Sequence, residues 1–171
     1  MRTDLLIIGA GPFGLALAAQ AQHQRIEHLI VGKPMEFWRA NMPTGMFLRS
    51  ACDWHLDPQN IHTIEAYLQT QNKTPADVEP LSLEFYLTYA EWFQQQKNIR
   101  PRPIYVQRLD RHDHFVATTF DGEVIEAERP TRNVERSVAA SGRVLTGTYT
   151  LAELPGGGTR ITFESAWLRV P

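Results

Sequence analysis

Cysteine is nearly missing from this sequence, with Cys52 the single one among 171 residues. One cysteine excludes a disulfide within the chain and fits a reducing compartment, so the cytoplasm is the expected location. Cys52 reads more simply as a small, partly buried apolar residue than as a redox group. Excess charge is also scarce: the formal net charge is −2 and the pI is about 6.3. Without a basic run there is no long-range attraction for nucleic acid or an anionic membrane surface, and neither is expected as a partner. No apolar run reaches membrane-spanning length without glycine, proline or charge. His55 and His62 share no ligand spacing with a cysteine or carboxylate cluster, and the His112-Asp113-His114 bend is too extended for its side chains to converge. No metal site is expected.

What the chain does have begins at once. Leu5 to Gly14 reads LLIIGAGPFG, and two readings compete for it. Arg2, the apolar run to Ala19 and the Ala19-Gln20-Ala21 triplet imitate a secretory signal peptide. Asp4 beside the run, with three glycines and a proline inside it, argues against a continuous export helix. Gly9-Ala10-Gly11-Pro12-Phe13-Gly14 is a complete G-x-G-x-x-G, placed between a strand-like run (Asp4 to Ile8) and a helix-like run (Leu15 to Gln24), the setting of a dinucleotide turn. Gly9 permits the turn, Gly11 lets backbone approach a pyrophosphate, and Gly14 lets helix and strand pack closely. Pro12 suits a first helical turn, where its missing N–H is no loss. Unpaired amides and the dipole at the helix start then supply anion affinity without a lysine.

Glu27 to Val31 predicts a second buried strand and completes a β-α-β unit. The acid that should end this strand and hold a ribose is replaced by Gly32-Lys33, with Glu36 the nearest carboxylate downstream. Lys33 either meets a phosphate or is an ordinary solvated lysine. Met35 to Ser50 is broken by Pro43 and Gly45 and predicts a packed loop whose Trp38, Met42, Met46 and Phe47 line a flat ligand or join the core. Ser50 to Ile61 predicts another irregular crossing. Helices are predicted from Thr63 to about Gln71 and, capped by Ser82, over Leu83 to Lys97. Phe85, Tyr89, Trp92 and Phe93 recur there at helical spacing, as a buried face does. Tyr105 to Arg111, His114 to Phe120 and Glu123 to Ala127 alternate as a β-meander with a turn at Asp121-Gly122.

With the segments Lys33 to Arg39 and Met42 to Ser50 added to the glycine turn, Met1 to about Glu128 resembles the N-terminal part of flavin-dependent oxidoreductases related to flavin-containing monooxygenases and lysine or ornithine N-hydroxylases. The resemblance implies that Gly9, Gly11, Pro12, Phe13 and Gly14 wrap the pyrophosphate of FAD. It implies further that Lys33 and Glu36 lie near its adenosine half, and Trp38 and Arg39 near the flavin. The implied chemistry is hydride transfer from NADPH to FAD followed by oxygenation of an unidentified small-molecule substrate, with the protein positioning the reactants and excluding water.

The pattern changes after Glu128. Arg129-Pro130-Thr131-Arg132 stands where relatives have an apolar strand, and proline is unsuited to a central strand. Residues 129 to 171 hold six basic and three acidic residues against a net −5 for the preceding 128. No second nicotinamide-type glycine fingerprint follows: Gly156-Gly157-Gly158 lies between two alternating runs and reads as a hairpin tip. The expected class is α/β: an incomplete Rossmann-like FAD-binding β-α-β unit with helices and a meander over 1–128, a linker over 129–141, and a β-hairpin of different origin over 142–171. That hairpin weakly resembles one of the polyketide-cyclase and START-like superfamily. The expected function is that of a truncated flavoprotein, inactive alone; a noncatalytic nucleotide-binding module and an apolar-ligand carrier are the alternatives. Unpaired sheet edges favour self-association.

Overall fold

The fold is described from a computed structural model. Residues 1–127 are described in full; beyond them, the strand spans Arg132–Val138, Val144–Glu153 and Thr159–Leu168 and their pairing are described. The chain divides into two compact units, Met1–Glu128 and Arg129–Pro171.

In the first unit the opening strand is split. β1 (Arg2–Thr3) pairs in parallel with a strand near the end of the unit, while β2 (Leu5–Ile8) pairs in parallel with β3 (His28–Val31), Leu5 opposite His28 and Ile8 opposite Val31. Between β2 and β3 lies α1 (Pro12–His23), the expected β-α-β unit, with Pro12 at the helix start. Alternation then decides what each strand face meets. Ile7 and Ile30 join Leu15, Ala18, Tyr89 and Phe93 in the larger core, while Val31, with Leu6 and Leu29 beside it, packs with Ala117 and Ile125 in a smaller one.

The meander follows the sequence pattern. β4 (Val106–Arg111), β5 (Phe115–Thr119) and β6 (Val124–Ala127) are antiparallel in the order β1-β6-β5-β4, and Gly122 turns with φ of 85°. α3 (Ile64–Gln69) and α4 (Leu83–Lys97) also lie where predicted, each with its cap in place: the amide of Ala66 donates to the Thr63 hydroxyl at 3.1 Å and that of Phe85 to the Ser82 hydroxyl at 3.1 Å. Thr63→Ala and Ser82→Ala are each expected to cost about 1 kcal/mol, the ordinary value of a lost cap. Parallel urea melts of the three proteins check this. Tyr89 and Phe93 are fully buried and Phe85 and Trp92 pack at the margin, so the aromatic stripe of α4 is core.

Two expectations are corrected. The stretch 35–50 is not all loop, because Glu36–Asn41 forms a short helix, α2. Its start carries no capping side chain; Met35 stands there with a left-handed backbone (φ 54°), held by complete burial and by its amide's 2.9 Å bond to the Ala10 carbonyl. A helix entered through tertiary packing leaves no local cap signature to read. In the second unit, β8 (Val144–Glu153) and β9 (Thr159–Leu168) are the antiparallel pair expected, but β7 (Arg132–Val138), inside the predicted linker, pairs with β8 and makes a three-stranded sheet β7-β8-β9. Ladder bonds from a neighbour stabilise a strand whose own alternation is poor. The predicted glycine tip at 156–158 and the proline break at 129–131 lie outside the described residues.

Cys52 is buried, as a small apolar residue should be, its amide donating to Glu79 at 2.8 Å, and burial together with that carboxylate pushes the thiol up to about 12. At pH 8 it therefore stays protonated and shielded. Maleimide labelling is expected to be slow in the native protein and rapid in denaturant.

Candidate functional site

β2 is followed by Gly9, whose φ of 107° turns the chain and whose amide still donates to the Val31 carbonyl at 2.8 Å, tying the turn to β3. Gly11 caps α1 with extended backbone and no side-chain bond, and the first regular helical bond runs from the Leu15 amide to the Gly11 carbonyl at 3.0 Å. The amides of Gly11, Phe13 and Gly14 therefore have no partner among the described residues. The three glycines differ physically. A Cβ on Gly14 would lie 1.9 Å from the Gly9 carbonyl oxygen, whereas a Cβ on Gly9 or Gly11 would meet nothing within 4 Å. One side of the turn is thus packed to contact and the other is open, which is the shape a backbone cradle for a diphosphate needs.

Gly32 explains why no acid ends β3. Its φ is 122°, and a Cβ there would press to 3.1 Å from the Ala10 amide nitrogen. A bulky acid would push the strand end away from the glycine turn. The carboxylate comes four residues later instead: Glu36 accepts from Lys33 at 3.1 Å and from the Tyr105 hydroxyl, and the Lys33 ammonium lies 5.2 Å above the Tyr105 ring. The Tyr105 bond, then the Lys33 bond, hold the Glu36 carboxyl below its usual range, and the bond to Glu36 holds the Lys33 ammonium above its own. These residues line a cleft of about 280 Å³ with Gly9, Gly11, Gly32 and Ile104. Tyr105, which the sequence pattern marks only as a strand residue, also lines it; the segment reaches the cleft because Arg102 bridges in parallel to Val31, with Gly32 donating to the Arg102 carbonyl at 2.8 Å.

The other flank of the turn is apolar. Pro12 and Phe13 share a second cleft of about 280 Å³ with Trp38, Trp54, His55 and Tyr86, and Trp38 and Trp54 continue into a broader one of about 620 Å³ with Met46, Phe47 and Arg49. Trp38 packs on Tyr86 at a centroid distance of 5.3 Å, so it is half core and half wall. Phe13 is 91% exposed and Trp54 71%, which leaves wide aromatic surfaces at the mouth. Arg39 is not brought there. It pairs with Glu91 of α4 at 2.5 Å and lines none of these clefts. Met42 lines none of them either.

Away from the turn, a buried polar hub was missed by sequence reasoning. The Asp57 carboxylate accepts from the amides of Gln59, Ile61 and His62, from the His62 ring, and from the Lys97 ammonium at 2.9 Å. Burial opposes its charge, yet Lys97 and the amides outweigh it and hold the carboxyl well below the usual carboxylate range. Tyr89 extends the hub, donating to the His62 carbonyl at 2.9 Å and accepting from the Leu56 amide at 3.0 Å. No group of three or more metal-ligating side chains occurs among the described residues, and no helix among them is long and apolar enough to cross a membrane.

No family model and no curated protein matches the chain. Solved structures do. Bacillithiol disulfide reductase Bdr from Staphylococcus aureus is similar at 21% identity and a TM-score of 0.57, over 74% of this chain and 36% of that one. A flavin-containing monooxygenase from Stenotrophomonas maltophilia is similar at 22% identity and a TM-score of 0.57 over the same shares. The lysine monooxygenase NbtG from Nocardia farcinica is similar at 16% identity and a TM-score of 0.52, over 75% of this chain and 41% of that one. The chain therefore has the fold of part of these oxidoreductases and spans little more than a third of their length. Nothing in these comparisons supports the weaker likeness of 142–171 to the START-like superfamily.

Proposed function

We propose that the first unit binds FAD and belongs to a flavin-dependent oxidoreductase of the monooxygenase-like class. The observation that carries this reading is the two-sided glycine turn: Gly14 packed against the Gly9 carbonyl, with Gly9 and Gly11 open outward. The amides of Gly11, Phe13 and Gly14 bind the pyrophosphate. Glu36, five residues beyond the end of β3, accepts from a ribose hydroxyl in the cleft it shares with Lys33, and Lys33 both orients Glu36 and offsets its charge beside the phosphates. Trp38 and Trp54 present an apolar wall that excludes water from the other half of the dinucleotide. Arg39, engaged by Glu91, receives no role. What FAD supplies when bound is hydride uptake from a reduced nicotinamide and chemistry with oxygen. The shared fold with a flavin-containing monooxygenase and a lysine monooxygenase supports the assignment.

NADPH enters as the reductant by the same resemblance. With no second glycine fingerprint among the 171 residues, this chain by itself is expected to consume no NADPH under air. A reducing, cytoplasmic setting suits its single buried cysteine. Loading tests the proposal: purified protein incubated with FAD and freed of excess by gel filtration should retain the flavin absorbance band, and ADP should compete for the site. A colourless protein that resists loading would overturn it. Elution volume in the same run reads self-association, proposed from the place of β4 at the end of its sheet.

A further inference from the structure

Among the described residues, the one buried side-chain nitrogen or oxygen without a hydrogen-bond partner is Nδ1 of His55. An orphan of this kind is uncommon in a finished fold, because it forfeits water without a replacement. His55 is not remote from the candidate site. It forms part of the wall of the apolar cleft whose other sides include Pro12, Phe13, Trp38, Trp54 and Tyr86. Pro12 and Phe13 belong to the glycine turn itself, so that cleft begins where the diphosphate cradle ends. The turn thus separates two compartments of unlike chemistry: one with the Lys33, Glu36 and Tyr105 cluster, the other mostly apolar and aromatic, with His55 and Ser50 in its wall.

We propose that His55 is a binding residue for the non-adenosine half of the dinucleotide, exchanging a hydrogen bond with a polar group of the flavin or its ribityl chain inside the aromatic cleft. The inference rests on FAD being the ligand, as argued above. The chemistry is apt in two respects. A neutral imidazole offers one donor and one acceptor, while the ribityl hydroxyls and the pyrimidine edge of a flavin present both kinds of group. In a cleft whose walls are mostly apolar, such a bond helps to fix orientation, since wall contacts with aromatic rings permit sliding and a hydrogen bond does not. The Asp57 carboxylate does not compete for the ring, being already engaged by Lys97, three amides and His62.

The test compares FAD with ADP, which carries the adenosine half alone, by calorimetric titration of the wild type, His55→Leu and His55→Gln. The expected result is that His55→Leu loses roughly tenfold in FAD affinity, as for one hydrogen bond, and none for ADP. His55→Gln, able to donate and accept, should recover part of the loss. Unchanged ADP affinity also certifies that each variant is folded. Equal FAD affinity in wild type and His55→Leu would overturn the inference, meaning that water satisfies the ring. Parallel losses of FAD and ADP would overturn it as well, by showing a structural role. If the wild type binds ADP but FAD no more tightly, the flavin reading falls; if it binds neither, the cradle falls, and His55 loses its assignment in both cases.

Discussion

Gly14→Ala is expected to destabilise the first unit by on the order of 3 kcal/mol, near the top of the usual range for overpacking, and to abolish FAD retention. The methyl would sit 1.9 Å from the Gly9 carbonyl oxygen, and both partners are backbone, so no rotamer change relieves the clash. α1 must move off β2, which dismantles the cradle. Gly11→Ala is the contrasting case. Its φ of −80° is ordinary for alanine and its Cβ meets nothing. The fold should therefore keep its stability within about 0.5 kcal/mol, as at surface sites, while the new methyl obstructs close approach by a pyrophosphate. Urea melts and FAD titrations of the two variants separate the roles. Full stability in Gly14→Ala would show that helix and strand are not packed as described.

Asp57→Ala is expected to cost about 3–5 kcal/mol, the usual penalty for removing one partner of a buried ion pair. Lys97 would be left only partly exposed without its carboxylate, and the amides of Gln59, Ile61 and His62 would lose their acceptor. A small domain has roughly 5–15 kcal/mol in total, so the loss is a large share of it. pH gives a second handle. Because the folded carboxyl is held below its unfolded value, the unfolded chain takes up the proton first as pH falls. The stabilisation is whole above the ordinary aspartate pKa of about 4 and declines below it. Asp57→Asn should flatten that acid limb of the stability curve, with a smaller loss at neutral pH because one amide oxygen can still accept. An unaltered acid limb would assign it to other carboxylates.

Local physics was readable from the residues; tertiary coincidence was not. The glycine turn, the caps at Thr63 and Ser82, the aromatic face of α4 and the meander each follow from spacing within one segment, and the structure has them with boundaries shifted by a few residues at most. α2 was missed because its entry is fixed by buried Met35, and β7 because its pairing lies in another strand. Asp57 was passed over inside an irregular crossing, since Lys97 comes from the far end of a helix distant in sequence. The same holds for the site. Gly9, Gly11 and Gly14 were legible one by one, whereas Tyr105 closes the Lys33 and Glu36 cleft only because the chain near Arg102 returns beside β3. Arg39, which the resemblance alone puts near the flavin, pairs with Glu91.

The pairing of β1 with β6 sets a timetable for synthesis. The ammonium of Met1 donates at 2.9 Å to Val124, 123 positions later, and the Glu126 amide donates back to the Met1 carbonyl at 2.8 Å. A chain emerging from the ribosome can assemble the glycine turn against α1 and β3 early, from nearby contacts. β1 must wait for β6. Until then the flank formed by Leu6, Leu29 and Val31 has nothing from β5 and β6 to cover it, so stalled or slowly translated chains expose a sticky strand pair that the finished protein conceals.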